Sequence, residues 1–266
     1  GRALKLRKLA ARGRFGRDSL QIEPLEIELP EARLLLTGGI HDFAAPRLDA
    51  VLEGQAALNG LASFAGLKQR LEGELRLRLG IAGTVDAPRL EGTIGGGGLR
   101  FENLRGIGLA ADFVYDGAAQ TADLRSLRLS SPEAALVGSG RLALAPQAGQ
   151  SALTARIDRA DLDRLSRAFG LPVRVASRAT AAAAASFPGL AFEKTRVRAL
   201  FVLTPSGPAP AQDTLPVAGT IRARLDGGRA AVEIESLEAL EARLQGELAL
   251  SPAGALSGRL TAGIPL

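Results

Sequence analysis

Residues 71–81 read Leu71-Glu72-Gly73-Glu74-Leu75-Arg76-Leu77-Arg78-Leu79-Gly80-Ile81. Every odd position is apolar or glycine, and the even positions from Glu72 to Arg78 are all charged. Successive side chains of an extended chain point to opposite sides, so this spacing predicts a strand with one apolar and one charged face. Residues 107–115 repeat the pattern, with Ile107, Leu109, Ala111, Phe113 and Tyr115 on one side and Asp112 on the other. Looser alternation runs through Arg47–Glu53, Arg89–Ile94, Ala134–Leu144, Arg196–Leu203, Val217–Leu225 and Arg243–Leu250. Asp116-Gly117 and Asp226-Gly227 stand between such runs, where Asp-Gly signals a hairpin. The expectation is an all-β chain of about sixteen strands in a mostly antiparallel sheet.

Two stretches carry helical spacing instead. Leu162, Leu165 and Phe169 follow Asp161 as an N-cap and precede Gly170 as a stop. Leu58, Leu61 and Phe64, followed by Gly66, repeat that spacing. Each predicts one short helix. The Ala-rich run 179–186 sits between alternating segments and is read as a strand of small side chains.

The chain also repeats itself. Pro30-Glu31-Ala32 through Gly38 aligns with Pro132-Glu133-Ala134 through Gly140, and upstream Ile22, Leu25 and Ile27 fall on Leu124, Leu127 and Leu129. A looser third copy carries Val232, Ile234 and Leu237, then Leu244, Gly246 and Leu248. The period is roughly 100 residues, giving repeats at about 19–120 and 121–228 and a partial one at 229–266 of a single elongated segment. In each copy the apolar parity flips once, after Ile22, Leu124 and Ile234. A one-residue slip turns side chains to the opposite face, so a bulge is expected at each flip. A sheet bent at the same place in every unit curls into a trough.

Composition narrows the function. Cys, Met and Trp are absent, and nine Phe, one Tyr and one His make up a sparse set of ring side chains. That excludes thiol chemistry and gives little material for a base-stacking surface or an enzyme pocket. His41 is the only imidazole and reads as a surface histidine. Gly95-Gly96-Gly97-Gly98 has no Gly-Lys-Ser/Thr after it, so it reads as a strand connection and not a phosphate loop. Asp158, Asp161 and Asp163 read as capping chemistry more readily than as a metal cluster. The acidic run Glu233, Glu235, Glu238 and Glu241 reads as a solvated strand face. No catalytic residue, metal site or cofactor is expected. The formal net charge of +5 is spread along the chain, which does not suit nucleic acid. The basic start (Arg2, Lys5, Arg7, Lys8, Arg12, Arg14, Arg17) fits phospholipid headgroups and a solvated face equally. No uncharged run reaches the roughly 18 residues of a spanning helix. With no Met anywhere, the chain is expected to be an excerpt of something longer or a processed product.

Gly83-Thr84-Val85-Asp86-Ala87-Pro88-Arg89-Leu90-Glu91-Gly92, followed by Leu99-Arg100-Phe101, resembles the repeating pattern of the AsmA-like superfamily. Leu127-Arg128-Leu129 through Gly138-Ser139-Gly140-Arg141-Leu142, and Asp161-Leu162-Asp163-Arg164-Leu165, are similar to it as well. The resemblance implies an elongated β-groove, a sheet folded into a long U with an apolar interior. It implies a parent anchored in the inner membrane and reaching across the periplasm, which carries phospholipid or works with an Omp85-type outer-membrane barrel protein. The anchor and any barrel-contacting end are not identified in these residues.

A trough of Leu, Ile, Val and Ala offers no hydrogen-bonding groups and suits acyl chains. The expected groove lining is Leu71, Leu75, Leu77, Leu79, Ile81, Leu90, Ile94, Ile107, Leu109, Phe113, Leu136 and Leu142, with phospholipid acyl chains as ligand. Two other readings stand beside this one: a chaperone-like or structural β-repeat that cradles client strands at an exposed sheet edge, and a solenoid whose apolar face is a closed core.

Overall fold

The computed structural model describes residues 6–60, 70–172, 174–207 and 214–264. The chain forms two units, Gly1–Leu129 and Ser130–Leu266. In the first, β1 (Lys8–Phe15), β2 (Ser19–Leu29), β3 (Ala32–His41), β4 (Arg47–Ala57), β5 (Leu71–Glu72), β6 (Glu74–Thr84), β7 (Pro88–Phe101) and β8 (Leu104–Asp116) lead to β9 (Thr121–Ser130) at its end. The second contains β10 (Ala134–Ala143), β11 (Gln150–Asp161), α1 (Leu162–Ala168), β12 (Arg174–Val175) and β13 (Ser177–Pro188). It continues with β14 (Arg196–Pro205), β15 (Thr214–Leu215), β16 (Val217–Asp226), β17 (Arg229–Ala239), β18 (Ala242–Leu250) and β19 (Leu256–Gly263).

The fold is all-β and mostly antiparallel. In the first unit β1 pairs with β2, β2 with β3, β3 with β4, β4 with β6, β6 with β7 and β7 with β8. In the second the ladder runs β10, β11, β13, β14, β16, β17, β18, β19. β12 and β15 form a parallel pair two residues long. Asp226-Gly227-Gly228-Arg229 is a two-residue hairpin in which both glycines have positive φ, 54° and 81°, the conformation that matches strand twist.

The parity flips after Ile22 and Ile234 are register shifts. β2 slips against β3 between Ile22 and Leu25, and β17 slips against β18 between Ile234 and Leu237. Opposite each slip sits a glycine with positive φ, Gly38 at 137° and Gly246 at 147°. A Cβ on Gly38 would collide with the Ala50 backbone, and one on Gly246 with that of Arg259–Leu260. A bare residue is therefore required where the strands cross over the bend.

The helix at Asp161 forms as its cap dictates: the Asp161 carboxylate accepts the Arg164 N–H at 3.0 Å, and Gly170 follows at φ 64°. For the other helical reading, Leu58 lies in a helical stretch over 58–60, and Leu61, Phe64 and Gly66 lie outside the described residues. The Ala-rich run is strand β13, and its burial alternates although its composition does not: Ser177, Ala179 and Ala181 are buried while Arg178, Thr180 and Ala182 are exposed.

The glycine quartet corrects one expectation. Gly95–Gly98 is not a connection between strands but part of β7, where Gly95 pairs with Ala110 and Gly96 with Leu109 before a slip to Leu99. A Cβ on Gly96 would lie 2.9 Å from Leu75 Cδ2 and 3.1 Å from Leu99 Cδ2. Leu75 of the neighbouring β6 and Leu99 of β7 itself close over the missing side chain.

Much of the surface of these sheets stays accessible. The chain exposes 17243 Å2 of accessible surface, whereas two separate compact domains of half its length would expose roughly 13,000 Å2. Among the described residues the buried apolar side chains are few, with Leu99, Val114, Phe187, Val217 and Ile234 the large ones. Two hydroxyls, those of Ser151 and Ser177, are fully buried and staple the ladder. Ser177 Oγ donates to Val217 C=O at 2.7 Å and accepts from Val217 N–H at 2.8 Å. Ser151 Oγ accepts from Ala143 N–H and donates to Gly189 C=O.

Candidate functional site

Register places the apolar side chains of the first unit in rows that cross the strands. One row is Leu25, Leu36, Leu52, Leu79, Gly92 and Phe113; the next is Ile27, Leu34, Gly54, Leu77, Ile94 and Ala111. A third runs from Ile22 through Gly38, Ala50, Ile81 and Leu90 to Tyr115. Directly opposed residues share a face, so six strands together present one apolar surface about 24 Å across the strand direction. The leucines in it are half-buried and not enclosed. Glycines level it: a Cβ on Gly92 would lie 2.9 Å from Leu79 Cδ1 and 2.9 Å from Phe113 Cζ, and one on Gly54 2.6 Å from Leu34 Cδ2. The bulky side chains lie over their small neighbours, which leaves a low, continuous aliphatic surface.

Every residue read from the sequence as lining lies in a strand and is half-buried. Leu75, Leu77, Leu79, Ile81, Leu90, Ile94, Leu109 and Phe113 share this face of the first unit, Leu75 and Leu109 by way of Gly96. Ile107 joins through its pairing with Leu99. Leu71 lies on the two-residue β5, which pairs with Phe101 one step out of register with β6. Leu136 and Leu142 belong to the second unit, where Leu136 heads a row through Ile157, Ala181, Phe201, Ile221 and Ile234. Below that row runs one of small residues, Gly138, Ala155, Ala183, Ala199 and Ala223. The sequence reading missed Leu36 and Leu52 in the rows of the first unit and Phe201 and Ile221 in the row of the second. Their strands alternate, but a strand's parity alone does not tell which face its neighbour shares.

The opposite face is charged. Lys8 binds Glu26 at 2.5 Å, Arg33 binds Glu28 at 2.9 Å, Arg78 binds Glu53 at 3.7 Å and Arg100 binds Glu72 at 2.9 Å. Such exposed pairs are screened by water and contribute little, so they mark which face is wet without holding the sheet together. The hydrogen bond and charge of Lys8 draw Glu26 below its ordinary carboxylate range. Lys8 and Arg14 of the basic start are thus engaged by glutamates of β2, and Arg2 and Lys5 lie outside the described residues. In the acidic run, Glu235 binds Arg222 at 2.6 Å and Glu238 lies 3.8 Å from Arg243.

The three aspartates do not converge. Asp158 pairs with Arg156, Asp161 caps α1, and Asp163 binds Arg167 at 2.8 Å and Arg174 at 2.9 Å. The Arg174 hydrogen bond, reinforced by the nearby charge of Arg167, holds Asp163 below its ordinary pKa. His41 ends β3 and is exposed, opposite Ser19 and Arg47. Among the described residues no three His, Cys, Asp or Glu side chains gather as metal ligands, and no helix is long and apolar enough to cross a membrane.

No family model, curated protein or solved structure matches this chain.

Proposed function

We propose that the chain holds phospholipid acyl chains along its apolar sheet face and acts as a segment of a lipid-transfer conduit. The observation that carries this reading is a largely aliphatic surface, continuous across six strands, whose leucines are only half-buried. Large exposed apolar surfaces mark interaction sites, and the polar group in the rows of this one is the Tyr115 hydroxyl at its end, already engaged by Gln120. An acyl chain asks for such a surface. At about 0.8 kcal/mol per buried methylene, a sixteen-carbon tail gains on the order of 12 kcal/mol if fully covered and roughly half that on one open face. Rows of near-equal residues supply many near-equal positions, a condition for sliding.

The resemblance to the AsmA-like superfamily, and within it to proteins of the TamB type, supports an envelope setting: a parent chain anchored in the inner membrane, this segment in the periplasm, and an Omp85-type barrel as partner of the parent. The proposal assigns no catalytic role. The experiment is extraction of the protein purified without detergent, with mass spectrometry of what it carries. Stoichiometric phospholipid is the expected result. Lipid-free protein that captures extended apolar peptides instead would favour the chaperone-like reading.

A further inference from the structure

On the charged face of the second unit, Arg198 of β14 stands directly opposite Arg224 of β16. Like charges in that position destabilise a sheet, and their neighbours show how this chain ordinarily neutralises them: Arg196 binds Asp226 at 3.2 Å and Arg222 binds Glu235 at 2.6 Å. Arg198 and Arg224 have no carboxylate within 4.0 Å among the described residues, and the residues beyond them in the row are Ala184 and Ala231. One strand further on, a second like-charge pair breaks the same rule. Glu233 of β17 faces Glu247 of β18, and neither meets a guanidinium within 4.0 Å among the described residues. Arg222 stands opposite Glu233 on β16, bound to Glu235 instead, and Arg259 stands opposite Glu247 on β19. Arg222, Arg224, Glu233, Glu247 and Arg259 line one recess of about 590 Å3, to which Gln245 and Ser257 add polar groups, and Arg198 flanks it on β14, opposite Arg224, without lining it.

We propose that this recess binds a phosphate ester that also carries an ammonium group. Arg224 in the recess and Arg198 beside it present forked donors to a tetrahedral oxyanion, whose several oxygens satisfy both forks at once. The two glutamates disfavour a bare anion and are relieved by a cation placed between them. Arg224 and Glu233 are diagonal neighbours, about 7–8 Å apart at the backbone, a separation that long side chains close around an amine two carbons from its phosphate. The site lies on the opposite face from the apolar rows, so it stands or falls independently of the acyl-chain reading.

The test is titration of the folded chain at low salt with O-phosphorylethanolamine, inorganic phosphate and ethanolamine, followed by calorimetry or amide chemical shifts. The ester binds more tightly than either fragment. Arg198→Gln with Arg224→Gln weakens the ester about tenfold or more, as loss of charge-assisted hydrogen bonds requires, and does not lower the melting temperature, because a repulsive pair is removed. Glu233→Gln with Glu247→Gln weakens the ester but not phosphate. Flotation with vesicles of phosphatidylethanolamine assigns the source: Arg-dependent flotation means a lipid headgroup, and ester binding without flotation means a soluble ester. The proposal is overturned by an ester no tighter than phosphate, by an Arg variant that titrates like the wild type, or by a Glu variant that keeps the preference for the ester.

Discussion

Phe113 of β8 rests against the bare backbone of Gly92 in β7, so close that a methyl group on Gly92 would sit 2.9 Å from the ring. Leu79 closes over the same glycine from β6. Gly92 has an ordinary extended backbone, so what it supplies there is space and not conformational freedom.

Gly92→Ala should therefore lower stability by about 1–3 kcal/mol through overpacking. Gly95, three residues along the same strand, lies on the charged side opposite Arg76 and Ala110, with only the Leu109 C=O 3.8 Å from a built Cβ. Gly95→Ala should be neutral or stabilise by up to about 1 kcal/mol through the unfolded chain. Denaturant midpoints of the two variants check this, and equal effects would mean that the glycines do not distinguish the faces.

Ser177 is fully buried and both donates to and accepts from the backbone of Val217. Ser177→Ala leaves that N–H and C=O without their partner, at a cost of about 1–3 kcal/mol. The check is a chemical melt together with amide exchange at Val217, which should quicken in the variant.

Asp163 joins α1 to β12 through Arg174, and its pKa is held below the ordinary 3.8 by that hydrogen bond first. A depressed carboxylate contributes stability that is present above its unfolded value and is lost as pH falls through its folded value. The stability difference between wild type and Asp163→Asn should be constant above about pH 5 and should shrink below about pH 4. Thermal melts of both proteins across that range measure it, and a difference unchanged by acid would contradict the assignment.

The faces were legible wherever charge alternated with leucine. Leu75, Leu77 and Leu79, with Arg76 and Arg78 between them, leave a strand only one way to lie against water. The bends at Ile22 and Ile234 were legible for the same reason, since a parity flip is a face change written into the chain. In Ala179–Ala185 the facing is set by Leu203 and Phe201 on the neighbouring strand and not by the run itself. Glycine has no side to show, so Gly95–Gly98 read as a linker when it is ladder. The stapling roles of Ser151 and Ser177 depend on backbone atoms 8 to 40 residues away, and a lone serine carries no sign of that.

The central claim is that lipid lies on one face of the strands and not the other. It is tested most directly by placing a photo-crosslinking residue at Leu77, Leu79 or Leu109, and in parallel at Arg76, Arg78 or Asp112, then irradiating the protein with phospholipid bound. The account predicts adducts of phospholipid mass at the leucine positions and none at the charged ones, alternating residue by residue along β6. Adducts at both parities, or at neither while the protein remains folded and lipid-loaded, would contradict it.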